Sequence, residues 1–429
     1  MTTASSPLRI ALVSLHTSPG AEPGSGDVGG MNVVVRNQAE ALGAAGHRVD
    51  IVTRRSSPDE PPRVDLSPGV TLHFVAAGPA EPVTKGRNEL FVDEFRDRLA
   101  DLGPWDVVHS HHWFSGMAAL PVARALGVPH VQSFHSIAAA DSTPLSHGER
   151  AESPGRLAGE AHLARESDAV VAISRAEAET VLTRLGGSPD RVAVVLPGVD
   201  SELFHPLDGT VSDETAHEDT ASEGTEEARV VDPARPYVVV AGRLEPLKAP
   251  DLAIRAVAAV PAEVRPDLVI AGGASTEFAG YEDDLLALVD ELDVTVRFVG
   301  PRTRTGLATL LRGAHAVLVP SHSETYGLIA LEAAASGVPV IAASSGGLRE
   351  SVVDGVTGVV LDSRDPDVWA AAITRVVRDV EWAGRLSRAS RARALDHPWA
   401  WSAAELADVY CRVAGSDDCS ELASAGVRR

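Results

Sequence analysis

The sequence predicts an α/β protein in two halves, each built on a parallel sheet. Three observations carry that expectation. An apolar run, a glycine-rich loop, a helical stretch and a second apolar run follow one another between Leu8 and Thr53, and the same order returns after Tyr237. The runs are short and almost continuously apolar rather than alternating, as strands covered on both faces are. A chain of 429 residues also exceeds one ordinary core.

In the first half, Leu8 to Leu15 (LRIALVSL) reads as the first buried strand, ending in His16, Thr17, Ser18 and Pro19. The loop PGSGDVGGMN follows, and the spacing of Val33, Val34, Ala41 and Leu42 after Asn32 predicts a helix stopped by Gly46. VDIVT is the next strand. Such a βαβ unit binds ligands outside the carboxyl end of its strand, and Gly29 and Gly30 would let a diphosphate approach the backbone closely. As a bare pattern the loop is an ordinary turn; its position directly after the first strand gives it meaning. Ala76 to Arg87 has two prolines and two glycines and reads as a loop, in which a lysine such as Lys85 is ordinarily exposed. Leu90 to Leu102 reads as a helix, and WDVVH as a strand running into Ser110, His111 and His112. PHVQSF is a further strand that ends in His135 and Ser136. Several histidines at strand ends that share one crevice point to a binding site. Zinc is considered on counting alone, but neither a helical His pair nor companion cysteines support it. Asp141 to Arg156 is polar; a helix from Leu157 to Glu166, a strand from Asp168 to Ile173, a helix from Ala176 to Leu185 and a strand from Arg191 to Leu196 complete a domain over 1–206.

Leu207 to Ala228 holds eight acids and no Lys or Arg, so 207–229 is expected to be a disordered acidic insertion. The second domain, 230–429, restarts with YVVVA, then GRLEPLK, a helix from Asp251 to Val260 and the strand DLVIAGG. Arg243 and Lys248 lie five apart after a strand end, where two cations can close on a diphosphate. VRFVG leads to Pro301 and Arg302, and GLATLLRGA is a helix. Val317 to Pro339 (VLVPSHSETYGLIALEAAASGVP) reads as strand, loop and helix, with Glu324 in the loop and Glu332 on the helix. A loop entering a helix through Gly327 offers free N–H groups and the positive end of the dipole to an anion. Glu332 is then placed to accept hydrogen bonds from a ribose diol, and Glu324 to reach a sugar hydroxyl. The alternative is that both glutamates are simply solvated near a helix N-terminus. PVIAASSGGLRE is a strand and glycine turn into a helix, and VVLDS the last strand. Asp365 and Asp367 form a D-x-D pattern that precedes a helix, so capping explains it. The tail, with Trp369, Trp399 and Trp401, is expected to pack as helices of this second domain.

Composition bounds the function. A net charge of −22 argues against nucleic acid as a partner, because any positive pocket must be built locally. The only cysteines, Cys411 and Cys419, are too few for a disulfide framework, so a reducing cytoplasm is the simplest compartment. No run reaches the roughly 18 apolar residues of a membrane span, so no integral membrane contact is expected, and the polar start MTTASSPLR lacks the core of a signal peptide.

HTSPGAEPGSGDVGGMN, VVHSHHWFSG, SFHS, GRLEPLKAPD and SETYGLIALEAAASGVPVIAA together resemble glycosyltransferase family 4. Within it they are similar to the D-inositol-3-phosphate glycosyltransferases of the mycothiol pathway. The resemblance spans His16 to Gly358 and implies the GT-B architecture, two Rossmann-like domains facing across a cleft that holds the site. It implies transfer of N-acetylglucosamine from a UDP donor to inositol phosphate with retention. Donor contacts are implied at Gly30, Arg243, Lys248, Arg302, Glu324 and Glu332. Acceptor contacts are implied at His16, Asp27, Gly29, Gly30, Asn32, Lys85, His112, Ser136 and Arg156. His135, Arg243, Lys248 and Glu324 are the implied catalytic set. No cofactor is required for the chemistry; a magnesium ion, where family members carry one, is structural and near the positions of Arg312 and Val338. A homodimer is left open. The family usually has tyrosine where His112 stands, threonine at Ser136 and glutamine at Glu22. No carboxylate is placed as a nucleophile, unlike the paired acids of a retaining glycosidase, so retention is expected by a same-face route. The alternatives are a related transferase with sucrose-type or polysaccharide acceptors, a UDP-sugar epimerase, and a non-catalytic nucleotide-sugar sensor.

Overall fold

The computed structural model describes residues 7–22, 28–207, 235–274 and 276–415. Asp27, Cys419 and all of the acidic segment beyond residue 207 lie outside the described residues. The chain forms two compact units, Met1–Gly198 with His397–Arg429, and Val199–Asp396.

The first unit holds strands β1 (Arg9–Val13), β2 (Arg48–Arg54), β3 (Arg63–Ser67), β4 (Val70–Val75), β5 (Val107–His111), β6 (His130–Ser133), β7 (Ala138–Ala139), β8 (Glu149–Arg150), β9 (Ala169–Ala172) and β10 (Val192–Val194). Eight of them form one sheet in the order β10-β9-β6-β5-β1-β2-β4-β3, while β7 and β8 pair separately. Every neighbour in the large sheet is parallel except β3, which runs antiparallel to β4. Strand residues alternate between two apolar layers, as a pleated strand covered on both sides must. Ile10 and Leu12 join Val35, Ala39 and Leu42 of the helix Gly30–Ala44, whereas Ala11 and Val13 join Phe95, Phe114 and Leu163. The chain leaves β1 toward β2 and leaves β5 toward β6, on the other side. The carboxyl ends of β1 and β5 therefore flank a topological switch point, the usual place for a ligand in such sheets.

One boundary differs from the sequence expectation. The last helix, Trp399–Ala414, belongs to the first unit rather than the second: Ala403, Leu406, Val409 and Tyr410 complete the apolar layer beneath the helix Gly30–Ala44. Those residues recur at helical spacing, so the helix has one apolar face that needs a partner layer, and only contact across the whole chain shows which layer that is.

The second unit is a six-stranded, all-parallel sheet of β11 (Tyr237–Ala241), β12 (Asp267–Ala271), β13 (Val296–Gly300), β14 (Ala316–Val319), β15 (Val340–Ala343) and β16 (Gly358–Leu361), in the order β13-β12-β11-β14-β15-β16. Numbered within the unit this is 3-2-1-4-5-6, the doubly wound order whose crevice opens between strands 1 and 4. Ile254, Leu268, Leu318, Ile341 and Trp369 form its core. The Asp365 carboxylate accepts from the Asp367 N–H at 3.0 Å, capping the helix Pro366–Arg378 as the sequence indicates.

Candidate active site

In the second unit, β11 and β14 are hydrogen-bonded neighbours, and the loops leaving their carboxyl ends carry the charged motif. Lys248 Nζ donates to Glu324 Oε1 at 2.7 Å, and Ser321 Oγ donates to the same oxygen at 2.9 Å. The His322 N–H donates to the Leu247 carbonyl at 2.8 Å, tying the two loops together. Burial alone would lower the Lys248 ammonium, but Glu324 and Glu245 outweigh it and hold the group above the usual lysine value. Arg243, half-buried, reaches Glu245 at 3.5 Å. The strand end therefore gathers two cations beside a helix entrance.

That entrance is Gly327, which precedes the helix Leu328–Ala335 with φ 91°. A Cβ there would lie 2.5 Å from Leu348 Cδ2, so both the backbone and the space demand glycine. The first N–H groups of the helix lack acceptors within it and suit an anion. Glu332, only 5% exposed, accepts from Arg304 Nη1 at 2.6 Å. Burial raises its carboxyl above the usual range, and Arg304 offsets part of that rise. Sequence reasoning passed over Arg304, which opens the helix Arg304–Arg312 without any motif to mark it. Arg302 lies two residues earlier and is half-buried.

In the first unit, the strand ends bring the histidines together. His16 and His112 pack with ring centroids 4.3 Å apart, and both contact Phe114. His111 Nδ1 lies 2.8 Å from His135 Nε2. Below them His109 Nδ1 is 2.7 Å from the Tyr410 hydroxyl and His109 Nε2 is 3.0 Å from Ser133 Oγ. His112 and His135 both have positive φ, 69° and 61°, which is costly for a residue with a Cβ and is retained where packing fixes it. Burial, the neighbouring His16, and the cations Lys85 and Arg156 push the His112 imidazole well below the usual histidine value, so the ring is neutral. Neither of its ring nitrogens has a hydrogen-bond partner among the described residues, although the ring is buried. Buried polar atoms without partners are rare enough to mark a place for a ligand. Asn32 braces the loop before the first helix, its Oδ1 accepting from Thr17 Oγ1 at 3.1 Å and from the Gly29 N–H at 3.4 Å. A Cβ on Gly29 would meet nothing within 4 Å. Gly30 begins the helix itself.

Lys85 and Arg156 do converge, with Arg156 Nη2 donating to Ser136 Oγ at 3.0 Å. Lys85 is 7% exposed, unlike an ordinary loop lysine, and its ammonium pairs with Glu149 at 3.1 Å. Arg156 is fully buried and paired with Glu149, Glu152 and Glu160. Those three carboxylates outweigh burial and hold its guanidinium above the usual value. The sequence expectation of two cations offered to an anion misses these partners.

Arg312 and Val338, the implied surroundings of a magnesium ion, supply no side-chain oxygen. The Arg312 guanidinium donates to the carbonyls of His205 and Leu203 at 3.0 and 3.1 Å, and Val338 is a buried alkyl group. Of these two residues, only the main-chain carbonyls could meet a hard cation. Among the described residues no group of three His, Cys, Asp or Glu side chains is arranged to hold a metal ion, and no helix is long and apolar enough to cross a membrane.

Comparison with known proteins places this geometry. The family described as "Glycosyl transferase 4-like domain" matches residues 29–198, and "Glycosyl transferases group 1" matches residues 224–393. Among solved structures, sucrose-phosphate synthase from Thermosynechococcus elongatus superposes with a TM-score of 0.82 at 26% identity, covering 95% of this chain and 99% of that one. HepE of Anabaena, solved with UDP and glucose, superposes with a TM-score of 0.71 at 18% identity, covering 94% and 100%, and supports the fold alone. The fold is GT-B. Relatives named D-inositol 3-phosphate glycosyltransferase share 37% identity in Streptosporangium roseum, covering 94% of this chain and 92% of the relative, and 38% in Stackebrandtia nassauensis, covering 94% and 91%. With such identity over nearly its whole length, the chain belongs to the glycosyltransferase family of which the D-inositol 3-phosphate glycosyltransferases are members.

Proposed function

We propose that the chain transfers N-acetylglucosamine from UDP-N-acetylglucosamine to an inositol phosphate, with retention at the anomeric carbon. The observation that carries this is the Lys248–Glu324 contact at the switch point of the second sheet, a cation held ready beside a helix entrance. The names of the relatives support the acceptor, and the cation pair supports a diphosphate donor.

The donor's diphosphate lies against Arg243, Lys248 and the first amides after Gly327, while Arg302 flanks the nucleotide and Glu332 accepts from the ribose. Glu324 orients the sugar. The bond from the anomeric carbon to the β-phosphate oxygen breaks while the acceptor oxygen bonds to the same carbon from the same face. The acceptor's hydroxyl proton passes to the leaving diphosphate, whose growing charge Arg243 and Lys248 stabilise. His135 contacts the donor sugar. His16, Asn32 and His112 position the polyol; Lys85, Arg156 and Ser136 receive its phosphate. A magnesium ion near Arg312 and Val338 would only brace the fold and takes no part in a step. The two cysteines, too few for a disulfide framework, support a cytoplasmic setting.

The test is turnover of UDP-N-acetylglucosamine with and without inositol phosphate, with proton NMR of the product's anomeric coupling. Acceptor-dependent UDP release and an α-linked product are expected. Donor isomerised without acceptor would instead indicate an epimerase, and UDP binding without turnover a sensor.

A further inference from the structure

Glu149 stands between the two cations of the first unit. A single oxygen, Oε2, lies 3.1 Å from Lys85 Nζ and 3.3 Å from Arg156 Nη1. Bridging two cations through one oxygen is what a phosphate oxygen would do. The charge balance sharpens the point. Lys85 and Arg156 face Glu149, Glu152 and Glu160, and burial keeps His112 neutral, so the cluster already holds more carboxylates than cations. A phosphate bringing a further charge of about −2 would be repelled unless one carboxylate withdraws.

The three carboxylates are not equally able to withdraw. The Glu160 side chain is fully buried and accepts from the Ala138 N–H as well as from Arg156. Glu152 is 5% exposed and also accepts from Trp113 Nε1 at 3.2 Å. Glu149 is 20% exposed and sits on β8, a strand of two residues. We propose that Glu149 is the specificity-determining residue of the acceptor pocket, its carboxylate acting as an internal substitute for the acceptor's phosphate. The acceptor's phosphate enters by displacing it, so Glu149 sets how tightly a phosphorylated polyol is held. The proposal rests on reading Lys85, Arg156 and Ser136 as the acceptor's anion site.

The experiment compares the wild-type chain with Glu149→Gln and Glu149→Ala, using inorganic phosphate as probe and inositol phosphate and free inositol as acceptors. Phosphate affinity, read by calorimetry, should rise tenfold or more in both variants, and the rise should vanish when Lys85→Met is added. The KM for inositol phosphate should fall by a similar factor, with donor KM nearly unchanged. Unchanged or weaker phosphate binding in either folded variant overturns the proposal and makes Glu149 a brace for Lys85 and Arg156. Because calorimetry needs no turnover, stronger phosphate binding without use of either acceptor would sustain the role of Glu149 while removing the acceptor assigned above.

Discussion

His111 Nδ1 lies 2.8 Å from His135 Nε2, and the two rings stack with centroids 5.1 Å apart. One nitrogen must donate and the other accept, so the pair shares a single proton and each ring fixes the other's tautomer. Burial pushes His135 down to about 3 and His111 well below the usual histidine value, which keeps both neutral. Since His135 also has a φ of 61°, its ring is held by an unusual backbone and by His111 together. His111→Leu should therefore lower kcat tenfold or more with little change in donor KM. His111→Asn, whose amide reaches the place of Nδ1, should recover most of that loss. Nitrogen NMR of His135 should show a mixed tautomer only in the leucine variant; an unchanged spectrum there would remove His111 from this role.

Acid should destabilise the first unit early. His109, His111, His112, His130 and His135 all have folded values below their unfolded value near 6.5, with burial the largest cause. The unfolded chain then binds more protons than the folded one, so stability is complete above about pH 6.5 and is lost as pH falls toward 3. Each fully shifted histidine contributes roughly 1 kcal/mol per pH unit in that window. Glu177, raised to about 7 by burial, and Glu160, also raised by burial, act in the opposite sense, their contributions lost as pH rises, but they are two groups against these five histidines. Urea midpoints measured from pH 7.5 to 4.5 should fall with a slope of several protons. A midpoint that stays flat between pH 6.5 and 5 would show that these rings are not buried as neutral groups.

The second unit was largely legible in the sequence, because its strands are short apolar runs closed by glycine or proline and its charged residues follow strand ends. YVVVA, DLVIAGG and VRFVG became β11, β12 and β13. The first unit was less so. The helix Trp113–Leu126 is buried on almost every side and carries Pro121, so it shows no 3.6-residue alternation to read. Strand β3 is charged and largely exposed, and only pairing with β4 makes it a strand. Glu149, Glu152 and Arg304 escaped notice for a different reason: each acts through a partner distant in the fold or on the next turn, and no spacing marks a salt bridge before the fold exists.

If Lys248 stabilises charge on the leaving diphosphate, Lys248→Ala should lower kcat by about 10²- to 10³-fold while raising donor KM far less. The bond to Glu324 adds a condition. Glu324→Gln keeps the size of the side chain but weakens its hold on the ammonium, so part of the same kcat loss should appear there, and the double variant should fall short of the product of the two. Strictly multiplicative losses in steady-state kinetics would mean that the two residues act separately.

Arg304 and Glu332 form a mostly buried pair, so removing the cation alone leaves a carboxylate without its partner. Arg304→Ala should cost about 2–3 kcal/mol in urea unfolding, and Arg304→Ala with Glu332→Gln should cost less than the single variant. Glu332→Ala should weaken UDP binding about 10- to 150-fold through loss of its ribose hydrogen bonds. Equal UDP affinity by calorimetry would take Glu332 out of the nucleotide site.

The last prediction concerns Gly346, whose place links backbone geometry to the charged motif. Its φ is 48°, and a Cβ built there would lie 2.2 Å from the Glu324 carbonyl oxygen. The next residue, Gly347, donates its N–H to that same carbonyl at 2.9 Å, so the glycine turn is packed against the backbone that carries Glu324. Gly346→Ala must therefore adopt a left-handed conformation and push the carbonyl aside. The backbone change alone costs about 1 kcal/mol. Gly355 supplies the control, having a φ of 70° with nothing within 4 Å of its built Cβ. Gly355→Ala should lose roughly that 1 kcal/mol and keep full turnover. Gly346→Ala should lose about 2–4 kcal/mol and at least tenfold in kcat, since displacing Glu324 disturbs its grip on Lys248. Should the two alanine variants prove equal in both unfolding and turnover, the packing of the glycine turn against Glu324 is not what holds the Lys248 ammonium in place.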